Sequence, residues 1–191
     1  MAERRSALAH LPASVADGAR AGLSEVRPGA ILQIQAWPGT LASVDAVVTQ
    51  TLRIDDPPKT GRAAWFHNGS ICAIGAGRYV ISTTDADIIA SFRTAFSSQD
   101  AAVTDFSHGR TILRLEGEAA AELLSRCVAL DFDVSVFPAD RVAETAIHHV
   151  DVLIHRLTNR SFEIWTPRSF SESLAEWLID CGLEIGVAFR K

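Results

Sequence analysis

Apolar residues recur along this chain at either strand or helix spacing, in segments short enough to be read one by one. Over 30–37, Ile31, Ile34 and Trp37 with the stop at Pro38 and Gly39 predict a strand. Leu41, Val44, Val47 and Val48 share one face at helical spacing, predicting a helix over Leu41–Leu52. The loop at 55–61 follows, because adjacent Pro57 and Pro58 remove donors and fix φ. Two short strands over 70–75 and 77–83 flank a turn at Gly75 and Gly77, with Thr84 and Asp85 placed to cap the next helix. Ile88, Ile89, Phe92 and Phe96 form the apolar stripe of that helix, over 86–96.

The pattern then repeats. Strands are predicted over 102–106 and 111–115, the latter alternating Ile112 and Arg114 against Leu113 and Leu115. Ala119, Ala120, Leu123, Leu124 and Cys127 recur at helical spacing, so 117–127 is a helix, and 130–138 is a loop. A meander follows over 141–148, 150–157 and 161–166, with Thr158, Asn159 and Arg160 turning between its last two strands. The closing helix, 169–181, carries Phe170, Leu174, Trp177 and Leu178 inward, with Ser169 and Glu172 as a capping box and Gly182 as its stop. A last strand over 184–189 completes the series.

This order predicts an α+β fold of two similar halves, about 28–106 and 107–191, packed as one compact domain. Residues 1–27 are read separately as an N-terminal arm. Their apolar residues, Leu8, Leu11, Val15 and Leu23, make no sustained face, and the arm is expected to order on a partner.

Composition narrows the function. The chain has 191 residues, is 48% hydrophobic and carries a net charge of −5 with no basic stripe, which argues against nucleic acid as a partner. No stretch approaches the roughly 20 apolar residues of a membrane span, and the start lacks the apolar run of a secretion signal. Cys72, Cys127 and Cys181 are odd in number and sit among apolar neighbours, as expected of reduced thiols in a cytoplasmic protein. No CxxC spacing suggests zinc or redox chemistry, although distant cysteines can still converge in space.

Three clusters invite catalytic or binding readings. Asp105, Ser107 and His108 contain the residue types of a serine hydrolase, but neighbouring side chains on an extended backbone point apart and the G-x-S-x-G elbow is missing. The turn, with Arg110, is therefore read as a structural or interface element. His148, His149 and His155 could share a metal, yet adjacent strand residues face opposite sides, so ordinary strand histidines are the default. Arg168 and Ser169, opening the last helix, offer either an anion site or simple capping. Gly75 and Gly77 form a G-x-G without the third glycine or βαβ context of a dinucleotide fingerprint. No catalytic, cofactor or metal residue is assigned.

The stretch DFSHGRTILRLEG at 105–117, then ALDFD at 129–133, VFP at 136–138, TPRSF at 166–170 and the pair Trp177 and Leu178, resembles the gamma subunit family of heterotetrameric sarcosine oxidases. RSALAH at 5–10 and QAWPG at 35–39 extend the resemblance, with Ala7 where the family has proline. Near the second strand pair the usual Gly-Pro and Trp-Leu are replaced by Gly75 and Ala76 and by Tyr79 and Val80.

The resemblance implies two ferredoxin-like, split βαβ halves, as in the folate-binding domain of aminomethyltransferases. It further implies a complex that oxidatively demethylates sarcosine to glycine and passes the one-carbon unit to tetrahydrofolate. FAD, FMN, NAD and tetrahydrofolate would then be held by other subunits, with alpha, beta and delta chains as partners and this chain structural. An independent folate-binding one-carbon transferase is the alternative, and a serine hydrolase the third reading.

Overall fold

In the computed structural model, which describes residues 5–14 and 18–191, a strand begins where none was expected: β1, Ala21–Val26. Two compact units follow, Pro28–Ser107 and the union of Met1–Arg27 with His108–Lys191. The division falls between Ser107 and His108, and the amino-terminal segment belongs to the second unit.

The unit Pro28–Ser107 contains β2 (Ala30–Ala36), α1 (Leu41–Leu52), β3 (Arg62–Phe66), β4 (Gly69–Gly75), β5 (Arg78–Thr83), α2 (Ile88–Ala95) and β6 (Ala101–Asp105). Its sheet runs β3-β4-β5-β2-β6, all neighbours antiparallel. Leu32 and Ile34 of β2, Ile71 of β4 and Ile81 of β5 meet Val44, Val48 and Phe92 of the helices in one core. Each such burial contributes about 1.5–3 kcal/mol. The turn at Gly75 and Gly77 is a hairpin as expected. Gly77 has φ +63°, and a Cβ there would stand 2.7 Å from the Cβ of Ala36, so glycine is required. The predicted cap of α2 is different in the structure. Asp85 accepts the Asp87 N–H at 2.9 Å, ahead of the helix, which starts at Ile88 without a side-chain cap.

The second unit adds β7 (Arg110–Glu116), α3 (Ala120–Cys127), β8 (Val142–Ile147), β9 (Val150–Thr158), β10 (Ser161–Pro167), α4 (Ser171–Cys181) and β11 (Val187–Arg190). Its sheet runs β11-β1-β7-β10-β9-β8. Both units therefore thread strand, helix, three strands, helix, strand. Where β6 pairs directly with β2 in the first, β1 is inserted between β7 and β11 in the second.

That insertion corrects the expected arm. Leu23 of β1, with Leu8 and Leu11 ahead of it, is buried in this unit's own core beside Leu115, Leu123, Ile164 and Phe189. The Glu25 carboxylate accepts the Ala7 N–H at 3.0 Å and also the Ser6 hydroxyl, so the RSALAH stretch docks on β1. Ser14 bridges to Phe189. Val15 lies outside the described residues. The second correction concerns α4, which is preceded by a 3₁₀ turn at Arg168–Phe170. Phe170 occupies the N-cap position with no side-chain cap, so the Ser169 and Glu172 capping box does not form. Among the described residues no helix is long and apolar enough to cross a membrane.

Candidate functional site

The conspicuous turn after β6 holds Asp105 and Ser107 in backbone contacts. Asp105 Oδ1 accepts the Ser107 N–H at 2.8 Å. The buried Ser107 hydroxyl accepts the Ile31 N–H at 3.0 Å and lies 3.3 Å from the Ile31 carbonyl, to which it donates. Residues 107–109 are a turn and not the extended backbone expected from the sequence. His108 is exposed on it. The serine hydroxyl is thus engaged on both sides by the main chain of β2, which is the geometry of a clamp.

Arg110, at the start of β7, lines an open cleft of about 410 Å³ with Glu144, Thr145, Asp151, Val152 and Leu153. Burial holds its guanidinium below the ordinary arginine value, against the opposing pull of the Glu144 and Asp151 carboxylates. Arg168 Nη2 donates to the Arg5 carbonyl at 2.6 Å, and its own N–H to the Gly109 carbonyl at 2.9 Å. It therefore ties the amino-terminal segment and the 109 turn to the start of α4. Ser171, and not Ser169, returns a hydroxyl to the Arg168 carbonyl at 2.7 Å.

The histidines separate. His148 and His149 form the tight turn between β8 and β9, with His148 at φ +55° and ring centroids 4.1 Å apart. The His148 ring also meets Trp177 of α4 at 4.5 Å. His155, by contrast, is fully buried in β9, with Nε2 3.7 Å from Asp140 and Glu163 opposite it across the sheet. Burial pushes its pKa down, and the Glu163 and Asp140 carboxylates work in the other direction. Glu163 is bridged by Arg114 at 2.6 Å and accepts from Trp165 Nε1 at 3.3 Å. Among the described residues no group of three His, Cys, Asp or Glu side chains is placed to hold a metal.

Sequence reasoning missed Arg156. It is 1% exposed and donates to the carbonyls of Phe132 at 2.9 Å, Phe137 at 2.6 Å, Thr158 at 3.1 Å and Asn159 at 3.0 Å, with its guanidinium carbon 4.9 Å above the Phe162 ring centroid. The loop carrying ALDFD and VFP is folded around this cation. Its signal was present: on an alternating strand, Arg156 shares a face with Val152 and Ile154, where a charge needs dedicated acceptors.

Residues 80–184 match the sarcosine oxidase gamma subunit family. The chain is 28% identical over 192 residues to sarcosine oxidase subunit gamma of Corynebacterium sp. (strain U-96), covering 97% of this chain and 93% of that one. It is 26% identical over 186 residues to the corresponding subunit of an Arthrobacter sp., at 95% and 91% coverage. Among solved structures it superposes on a chain of the heterotetrameric sarcosine oxidase from Corynebacterium sp. U-96, solved with pyrrole 2-carboxylate, with a TM-score of 0.84 and 26% identity over 95% of this chain and 96% of that one. The fold is shared with the glycine cleavage system aminomethyltransferase T from Bartonella henselae, at TM-score 0.66 and 18% identity over 90% of this chain and 48% of that one. With the family match spanning more than half of its length, this chain belongs to the sarcosine oxidase gamma subunit family.

Proposed function

We propose that this chain is the gamma subunit of a heterotetrameric sarcosine oxidase, in which it organises the assembly while chemistry proceeds on other chains. The complex demethylates sarcosine oxidatively to glycine and transfers the one-carbon unit to tetrahydrofolate. Larger alpha and beta subunits and a small delta subunit are the partners, and FAD, FMN, NAD and the folate are held by them in the cytoplasm. The observation that carries this reading is the nearly end-to-end likeness, in both fold and length, to a chain of a solved heterotetrameric oxidase. The site geometry agrees with an organising role. Ser107 is clamped to β2, Arg168 to the amino-terminal segment, and Arg156 to the loop between α3 and β8.

An affinity-tagged version expressed in its native host tests the proposal. The tag should retrieve three other chains in constant proportion, together with flavin absorbance and sarcosine-dependent peroxide formation. Recovery of the tagged chain alone, from cells in which that activity is present, overturns it.

A further inference from the structure

The carboxyl ends of α3 and α4 converge. Arg126, in the last turn of α3, bridges Glu122 at 2.7 Å and reaches Glu184, just past α4, at 3.4 Å. Gly182, just past α4, lies against both β11 and α3: a Cβ there would overlap Val187 at 2.2 Å and touch Leu123 Cδ1 at 3.4 Å. Cys127 is the last residue of α3 and Cys181 the last of α4. Both are free, half-buried thiols packed against the same core, and Cys181 lies close enough to disfavour ionisation of Cys127.

From this convergence we propose that Cys127 and Cys181 are a redox-active dithiol, a site of reversible oxidation by hydroperoxides that closes to a disulfide and staples α3 to α4. Burial and the neighbouring Cys181 push the Cys127 pKa up to about 12. Because the thiolate is the nucleophile, attack starts from whichever sulfur of the pair has ionised. That thiolate attacks one oxygen of hydrogen peroxide. The O–O bond breaks, an S–O bond forms, and hydroxide leaves, giving a sulfenic acid. The other sulfur of the pair then attacks the sulfenic sulfur, and its proton leaves with the departing oxygen as water. Two thiols and one peroxide become one disulfide and two waters, and an external dithiol reverses the change by exchange. In an oxidase the oxidant is the two-electron reduction product of dioxygen; that source, and not the chemistry, rests on the function proposed above.

Hydrogen peroxide added to the purified full-length chain tests the site apart from that reading. After alkylation of remaining thiols and proteolysis, mass spectrometry should find a peptide linking Cys127 to Cys181, lost on treatment with dithiothreitol, with Cys72 still alkylated. In Cys127→Ser and in Cys181→Ser the linked peptide should be absent, and dimedone should trap a sulfenic acid on the thiol that remains in at least one of the two variants. The proposal is overturned if wild-type chain yields no linked peptide, or if dimedone labels neither variant. The wild-type peptide map decides the matter alone should either variant fold poorly.

Discussion

Ser107 and His155 both carry reactive groups, and their surroundings give each a structural task. Ser107→Ala leaves the buried Ile31 N–H without its acceptor, which costs about 1–3 kcal/mol. Calorimetry should show a lowered Tm, while the assembled complex keeps its turnover. A complex that forms normally yet loses turnover by several powers of ten would restore the catalytic reading. For His155 the sign follows from burial of the neutral ring. In the unfolded chain the imidazole takes a proton near pH 6.5, but the folded chain resists protonation to lower pH. The unfolded state therefore binds more protons as the solution is acidified. Stability contributed above about pH 6.5 is lost as the pH falls toward the depressed folded value. Thermal melts from about pH 7.5 to about pH 5 should fall less steeply for His155→Gln than for the parent; equal slopes would remove His155 as the cause. The sequence exposed the residue types but not their partners. Ser107 looked nucleophilic because Ile31, 76 positions away, is invisible to local reading. Arg156 passed unnoticed because its acceptors lie on a distant loop and on its own hairpin turn.

At the scale of elements, local periodicity was enough for α1, whose bounds agree residue for residue, and for the β8 to β10 meander. It failed at β1 and β3. β1 contains Ala21, Gly22 and Ser24, which have weak strand preference, and it is held by ladders on both sides to β11 and β7. β3 lies on a sheet edge with no clean alternation, Trp65 exposed beside half-buried Ala64. The β1 result reverses the expectation for truncation. Removing residues 1–27 takes an interior strand, the one joining β11 to the rest, from the six-stranded sheet along with Leu8, Leu11 and Leu23, each contributing about 1.5–3 kcal/mol by burial. The truncated chain should show a lost or strongly lowered cooperative melt by circular dichroism. Leu8→Ala alone should cost about 2–5 kcal/mol. A truncated chain that melts with the parent would return this segment to the status of an arm.

Across the whole molecule, the two-round order of strands and helices was legible, and with it the α+β class. Strand order within each sheet was not, because ladders such as β1 with β11 join residues at opposite ends of the chain. The same topology bears on cofactors. Gly75 and Gly77, the one glycine pair resembling a nucleotide fingerprint, sit in the hairpin between β4 and β5, where the Gly77 carbonyl accepts the Ala36 N–H at 2.8 Å. Those glycines serve a tight turn and close backbone packing, and no phosphate cradle at a helix start is built from them. The isolated chain should accordingly be colourless and form no peroxide from sarcosine. Calorimetric titration with tetrahydrofolate separates the remaining alternatives. Heat absent from the isolated chain, but present for the assembled complex, fits a subunit whose folate-type fold serves assembly. Saturable binding to the isolated chain would make it a folate-binding protein in its own right, and flavin absorbance that survives gel filtration would move the oxidative chemistry onto this chain.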